Sequence, residues 1–240
     1  MKPSIESGKP KKEGLSPKEK EIAMSLETIS CLEKKDKVFL VLVWKGLKTA
    51  TAISLEPGVP ESVARDLEKR VKETGLLFKK TDHIIAEEMF MVKQKARGLR
   101  PGRVCFVANN QKDFDLISEL WFGDHDKDQK VYRELGRMSG FPQTAIDIYQ
   151  KISQAEIFKL SEEEQEKAMG NYVFSEREKR DFLFKENEPR VVPFSWLFYM
   201  SKENWKSEMA TPRKWAKEIE STTPTLYEEF TGLFYRSAMY

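Results

Sequence analysis

The chain is poor in the residues that usually betray chemistry. It holds two cysteines, Cys31 and Cys105, and two histidines, His83 and His125, in 240 residues. Two distant thiols cannot build a disulfide framework, and their scarcity points to a reducing, cytoplasmic location. Cys105 sits in the apolar run Val104-Cys-Phe-Val107, where packing is its natural role. Neither histidine belongs to a Cys-x-x-Cys or His-Glu-x-x-His pattern, so no metal site and no cofactor is expected. Glu87-Glu88 lies near His83, and Asp124-His125-Asp126 would at most hold a divalent ion weakly, as acidic loops do nonspecifically. No run approaches the roughly 18 apolar residues that span a bilayer, and no apolar segment follows the lysines of Met1–Lys12, so neither a membrane span nor a secretory signal is expected. A phosphate-binding Gly-rich fingerprint and a Gly-x-Ser-x-Gly elbow are also missing. Lys and Arg (41) nearly balance Asp and Glu (39), so no global field draws the protein to nucleic acid or membrane, and any charged site must be local.

What is present is enough to build a core: 40% of residues are hydrophobic and 11% aromatic. Residues 1–15 have almost nothing to bury and read as a disordered basic tail. Order is expected from Ser16-Pro17-Lys18-Glu19, a capping box that opens a helix running to about Glu33. The β-branched run Val38–Trp44 reads as a strand buried on both faces, forming a hairpin with Thr49–Leu55. Pro60 or Glu61 starts a helix to about Glu73, with Gly75 as its C-terminal stop. Leu76–Phe78 and Arg103–Ala108 read as extended, Asp113–Trp121 as helix, and Ile84–Val92 fits either state. Ser161-Glu-Glu-Glu164 caps a charged helix, Pro193 marks a break, and Phe194–Tyr240 reads as packed helices. Strands early and helices late give an α+β class: a small N-terminal β-sheet packed with helices, followed by a mostly helical C-terminal half. No Gly/Ser-rich linker separates the halves. Residues 16–240 are therefore expected to form a single compact domain, with a candidate sub-boundary near 123–126.

Tyr132–Tyr149 is the segment with the most local grammar. An amphipathic helix breaks at Gly140-Phe141-Pro142 and a second one follows. Gly136, Gly140 and Ile146 stand where a helix-turn-helix needs a small residue, a turn glycine and an apolar residue packing back. Leu135, Phe141 and Tyr149 could complete the shared core. The chemistry fits DNA less well. Gln143 and Thr144 could read base edges, but Asp147 and the acidic loop Asp124–Asp128 would repel phosphate, and no base follows until Lys151. An ordinary corner between two helices is the plainer reading.

The run Glu134–Tyr149 resembles families of uncharacterised archaeal and bacterial proteins that share Leu-Gly, then Gly-Tyr/Phe-Pro, then Ala and an aromatic residue. Pro193-Phe194, Ser201, Trp205, Glu208, Trp215 and Pro224–Tyr227 have a similar flavour. Some of those proteins carry Cys after the Pro, where this chain has Gln143-Thr144, so a thiol role is absent here. The resemblance implies no activity.

Two further segments invite a ligand. Lys93, Lys95, Arg97, Arg100 and Arg103 form a Gly- and Pro-containing basic loop without an acid, suited to a phosphate or an RNA backbone. Trp196, Phe198, Tyr199, Trp205, Trp215, Tyr227, Phe230, Phe234 and Tyr235 are core material or, in part, a surface for a protein partner. The expectation is a binding or accessory protein. The alternatives are a nucleic-acid binder using residues 93–103 and the helix-turn-helix-like segment 131–150, and an enzyme acting on a phosphorylated or nucleotide substrate. For the last two the site residues are Lys93, Lys95, Arg97, Arg100, Arg103, Gln143 and Thr144.

Overall fold

The computed structural model describes residues 14–56, 58–84, 103–122, 129–154, 160–175, 178–183, 185 and 189–238. Strands β1 (Ala50–Leu55), β2 (Leu77–Ile84) and β3 (Arg103–Ala108) make one sheet in the order β1-β3-β2. β3 lies between the other two and is antiparallel to both, with Ala108 opposite Ala50 on one side and Leu77 on the other. Helices α1 (Pro17–Glu27) and α2 (Lys34–Trp44) precede the sheet, and α3 (Glu61–Glu73) joins β1 to β2. After β3 come α4 (Gln111–Phe122), α5 (Gln129–Met138), α6 (Gln143–Gln154) and α7 (Glu162–Met169). A π-helical turn, Lys179–Leu183, leads to two one-turn helices, α8 (Val192–Ser195) and α9 (Trp205–Glu208). Two longer helices close the chain, α10 (Ala210–Thr222) and α11 (Pro224–Ala238). The class is α+β, with helices dominating the C-terminal half. Among the described residues no helix is long and apolar enough to cross a membrane.

β3 is buried on both faces. Cys105 and Val107 join the main core, which draws side chains from Leu26 through to Phe230. Val104, Phe106 and Ala108 point the other way, into a second cluster with Ile117 of α4 and Met138 of α5. Period-two alternation thus feeds two layers of helices from one strand. Each large side chain sealed this way is worth roughly 2–3 kcal/mol. Burial pushes the Cys105 thiol up to about 12, so it remains protonated and inert. Arg137 of α5 bonds the buried Asp113 of α4 at 2.6 Å, tying the two helices of the second layer together.

Local signals held where they were strong. Glu19 returns the capping box to the Ser16 amide at 3.0 Å, α3 spans Glu61–Glu73, and Gly75 follows it with φ +86°. Two expectations fail. Residues 38–44 are not a strand but most of α2, and no hairpin pairs them with Thr49–Leu55, because β1 pairs with β3 instead. The cause is burial all round: every residue from Val38 to Val43 is inside, so the one-sided periodicity that marks a helix is erased. The first helix also stops at Glu27, short of Glu33, where the Thr28 hydroxyl turns back onto the Met24 carbonyl at 3.0 Å. Residues 1–13 of the expected tail, and Ile85–Val92 of the ambiguous stretch, lie outside the described residues.

Candidate ligand cavity at the helix corner

The α5–α6 corner is built by its glycines. A Cβ on Gly136 would stand 2.6 Å from Ile146 Cγ1, so α5 and α6 approach as closely as they do because that position is bare. Gly140 takes φ +67°, and a Cβ there would meet the Leu47 carbonyl oxygen at 2.3 Å. Gly136, Gly140 and Ile146 therefore have the close-packing and turn roles their spacing suggested. The corner is also clasped to the loop after α2, since the Thr49 amide donates to the Met138 carbonyl at 2.9 Å.

Phe141 projects from this corner into the aromatic C-terminal half. Its ring centroid lies 5.6 Å from Phe198 and 6.3 Å from Trp215. Cavities open on either side of it. One, of about 620 Å³, is lined by Phe141, Phe174, Lys179, Trp196, Phe198 and Tyr199, with Lys35 among its other walls. The second, of about 260 Å³, runs along α5 and α6 past Leu135, Ser139, Ala145, Ile146 and Tyr149. Phe141, Phe198 and Tyr199 are common to both. Tyr199 is 44% exposed and stacks on Tyr149 at 5.3 Å, so a half-open aromatic pair stands at the junction.

The wall from residues 195 to 198 is held from below. Lys179, on the π-helical turn, is buried, and its ammonium donates to the carbonyls of Ser195 (3.1 Å) and Phe198 (3.0 Å). Such turns recur at functional sites. Nearby, the buried Glu208 carboxylate accepts from the Ser201 amide at 2.8 Å. Burial raises the Glu208 pKa, while the Thr144 hydroxyl, the Ser201 amide and the Lys179 charge act against that rise.

Behind Phe141 lies Lys48, 2% exposed. Its Nζ sits 3.9 Å from the Phe39 ring centroid, 5.1 Å from Phe141 and 5.2 Å from Trp215. The backbone around it is pinned: the Lys48 amide donates to Leu42 at 3.1 Å and its carbonyl accepts from Asn109 Nδ2 at 3.2 Å. Burial, with the like charge of Lys35 adding to it, pulls the Lys48 pKa down to about 7. Three ring faces stabilise an ammonium, yet no carboxylate among the described residues lies within 4.0 Å of it. Nothing in the sequence marks Lys48; its surroundings are set by rings from α2, the corner and α10.

Of the expected site residues, Lys93, Lys95, Arg97 and Arg100 lie outside the described residues. Arg103 opens β3 opposite Leu55 and Ile84. The corner is clasped at the other end of that strand, beside Ala50–Ala108, so the two are about 17 Å apart. Gln143 spends its amide on Asp147 at 2.8 Å, and Thr144 is half-buried beside Glu208. The described part of the phosphate or nucleic-acid set is thus not brought together. Among the C-terminal aromatics, Phe198, Trp215, Tyr227 and Phe230 are core, while Tyr199 is exposed and Trp196 and Trp205 are half-buried. Phe234 and Tyr235 fall on α11, and their side chains are outside the description, as is that of His83; His125 lies outside the described residues. Among the described residues no group of three or more His, Cys, Asp or Glu could hold a metal. The chain matches no family model, no characterised protein and no solved structure.

Proposed function

We propose that this is a binding protein and that its ligand is a small organic molecule with a planar apolar body, held where the two cavities meet. A cytoplasmic location accords with its two free thiols. The observation that supports the reading is the shared wall: Phe141, Phe198 and Tyr199 border both cavities, with Lys35, Gln165, Ser175 and Lys179 supplying polar groups in the larger one. Sites for small molecules have this character, concave and mostly aromatic, with volumes of roughly 300–1,000 Å³. The larger cavity, at about 620 Å³, falls in that range.

The neutral dye N-phenyl-1-naphthylamine should bind with enhanced fluorescence. Ser139→Phe, which fills the smaller cavity, and Tyr199→Ala, which removes the stacked ring, should each weaken it roughly tenfold with little change in melting temperature, about what one aromatic contact contributes. A wild-type protein that leaves the dye dark rejects the reading. So do variants that both bind it as wild type does.

A further inference from the structure

We infer that the ligand of this cavity is a free organic acid whose anionic group seats at the Lys35 end, in the field of Lys35 and Lys48. The inference rests on the ligand-cavity reading above and adds the charge of the ligand to it.

The first argument is the charge of the walls. Neither cavity is lined by an Asp or a Glu, and the larger one is lined by two lysines. Lys179 is already committed to the carbonyls of Ser195 and Phe198, which leaves Lys35 as the lining cation without a fixed role. The second argument is the coupling of Lys35 to Lys48. Both ammoniums lie over the ring of Phe39, at 5.8 Å and 3.9 Å. Among the described residues no carboxylate lies within 4.0 Å of either, although surface cations elsewhere, such as Lys45, Lys72 and Lys202, are ion-paired. Asp36 is next in sequence to Lys35 and feels its charge, but it is half-buried and accepts from the Ser54 amide at 3.2 Å. Exposed Lys35 and buried Lys48 share the ring of Phe39, no carboxylate among the described residues pairs with either, and an anion at the Lys35 end is attracted by both charges.

The elements around Lys48 add no compensating charge. α2 contributes Lys35, a like charge; the corner contributes Gly140 and Phe141; α10 contributes Trp215. The Lys35 charge is felt at Lys48, so an anion seated near Lys35 offsets that repulsion and raises the affinity of Lys48 for a proton. In the free protein Lys48 loses that proton near pH 7. The anion accordingly binds best below that value, and above it binding must take up a proton, weakening by up to about tenfold per pH unit.

Two dyes that differ by one sulfonate provide the test. Anionic 8-anilinonaphthalene-1-sulfonate and neutral N-phenyl-1-naphthylamine are titrated against the full chain at pH 6 and pH 9. The sulfonate should bind at least tenfold tighter than the neutral dye at pH 6 and lose most of that advantage at pH 9. Lys48→Met should flatten the pH dependence, and Lys35→Ala should weaken the sulfonate while leaving the neutral dye unchanged. Equal affinities at pH 6, or an advantage indifferent to pH and to both substitutions, overturn the anion assignment and leave the cavity standing. Binding of neither dye overturns both.

Discussion

Gly140→Ala is expected to cost about 3 kcal/mol of stability, well beyond the roughly 1 kcal/mol that a glycine-to-alanine change costs through conformation alone. Two penalties coincide. The residue sits at φ +67°, where a Cβ is strained, and that Cβ would lie 2.3 Å from the carbonyl oxygen of Leu47. Retreat is blocked because the obstacle is backbone and is fastened on both sides: the Leu47 amide donates to Leu42 at 2.8 Å, and the Thr49 amide to Met138 at 2.9 Å. Gly46→Ala is the internal control. Its φ of +68° carries the same strain, but a Cβ there meets nothing within 4 Å. Urea unfolding of the two variants, with unchanged slopes, separates strain from collision. Equal losses would show that the corner and the loop are not in close approach.

Lys48→Met should stabilise the protein, most at low pH. The unfolded chain keeps the Lys48 proton up to its ordinary value of 10.5, whereas the folded protein releases it near 7. The unfolded state thus binds more protons between those limits, and wild-type stability gained from this group rises with pH through that window. Below pH 7 the whole cost of sealing an ammonium in the core is present; above 10.5 none remains. A depression of this size corresponds to a cost of about 5 kcal/mol, of which the rings of Phe39, Phe141 and Trp215 return about 1–2 kcal/mol. Methionine fills a similar volume without charge. The variant should therefore exceed wild type by about 3 kcal/mol at pH 6, with the gap closing towards pH 10. Chemical denaturation across that range reads it out. A gap that does not change with pH, or a variant weaker than wild type at pH 6, would mean that Lys48 is solvated in the folded state.

The elements legible in the sequence are those whose cause is local. Ser16 and Glu19 cap each other across one turn, α3 shows its apolar face at helical spacing, and β3 is a short apolar run beginning at Arg103. The α5–α6 corner was legible too, because Gly136 and Ile146 meet within one helical pair. What was hidden depends on distant chain. From Val38 to Val43 α2 is valine-rich and buried on every side, a composition that a strand and a fully surrounded helix share. β1 takes its partner from residues 103–108, across α3 and β2, so the nearer hairpin was the natural but wrong choice. The site is hidden for the same reason. Phe39, Phe141 and Trp215 converge on Lys48 from α2, the corner and α10, and no spacing rule connects them. Aromatic richness in the last third was visible; that Phe198 and Tyr199 would face the Gly140–Pro142 corner was not.

The strand order has a consequence for biosynthesis. Among the described residues β3 is the last strand made, and it is the one that the other two need. A nascent chain that has emerged through β2 holds two strands that pair with each other through nothing, each offering an open row of amides and carbonyls. At roughly 5–20 residues per second, the ribosome delivers β3 within a few seconds of β2. During that interval any extended apolar segment in reach can dock in the gap that Val104–Ala108 will later fill. The sheet is thus closed by its own late-arriving middle, and a pause of translation before Arg103 prolongs the interval in which the edges of β1 and β2 stand open to capture or misassembly.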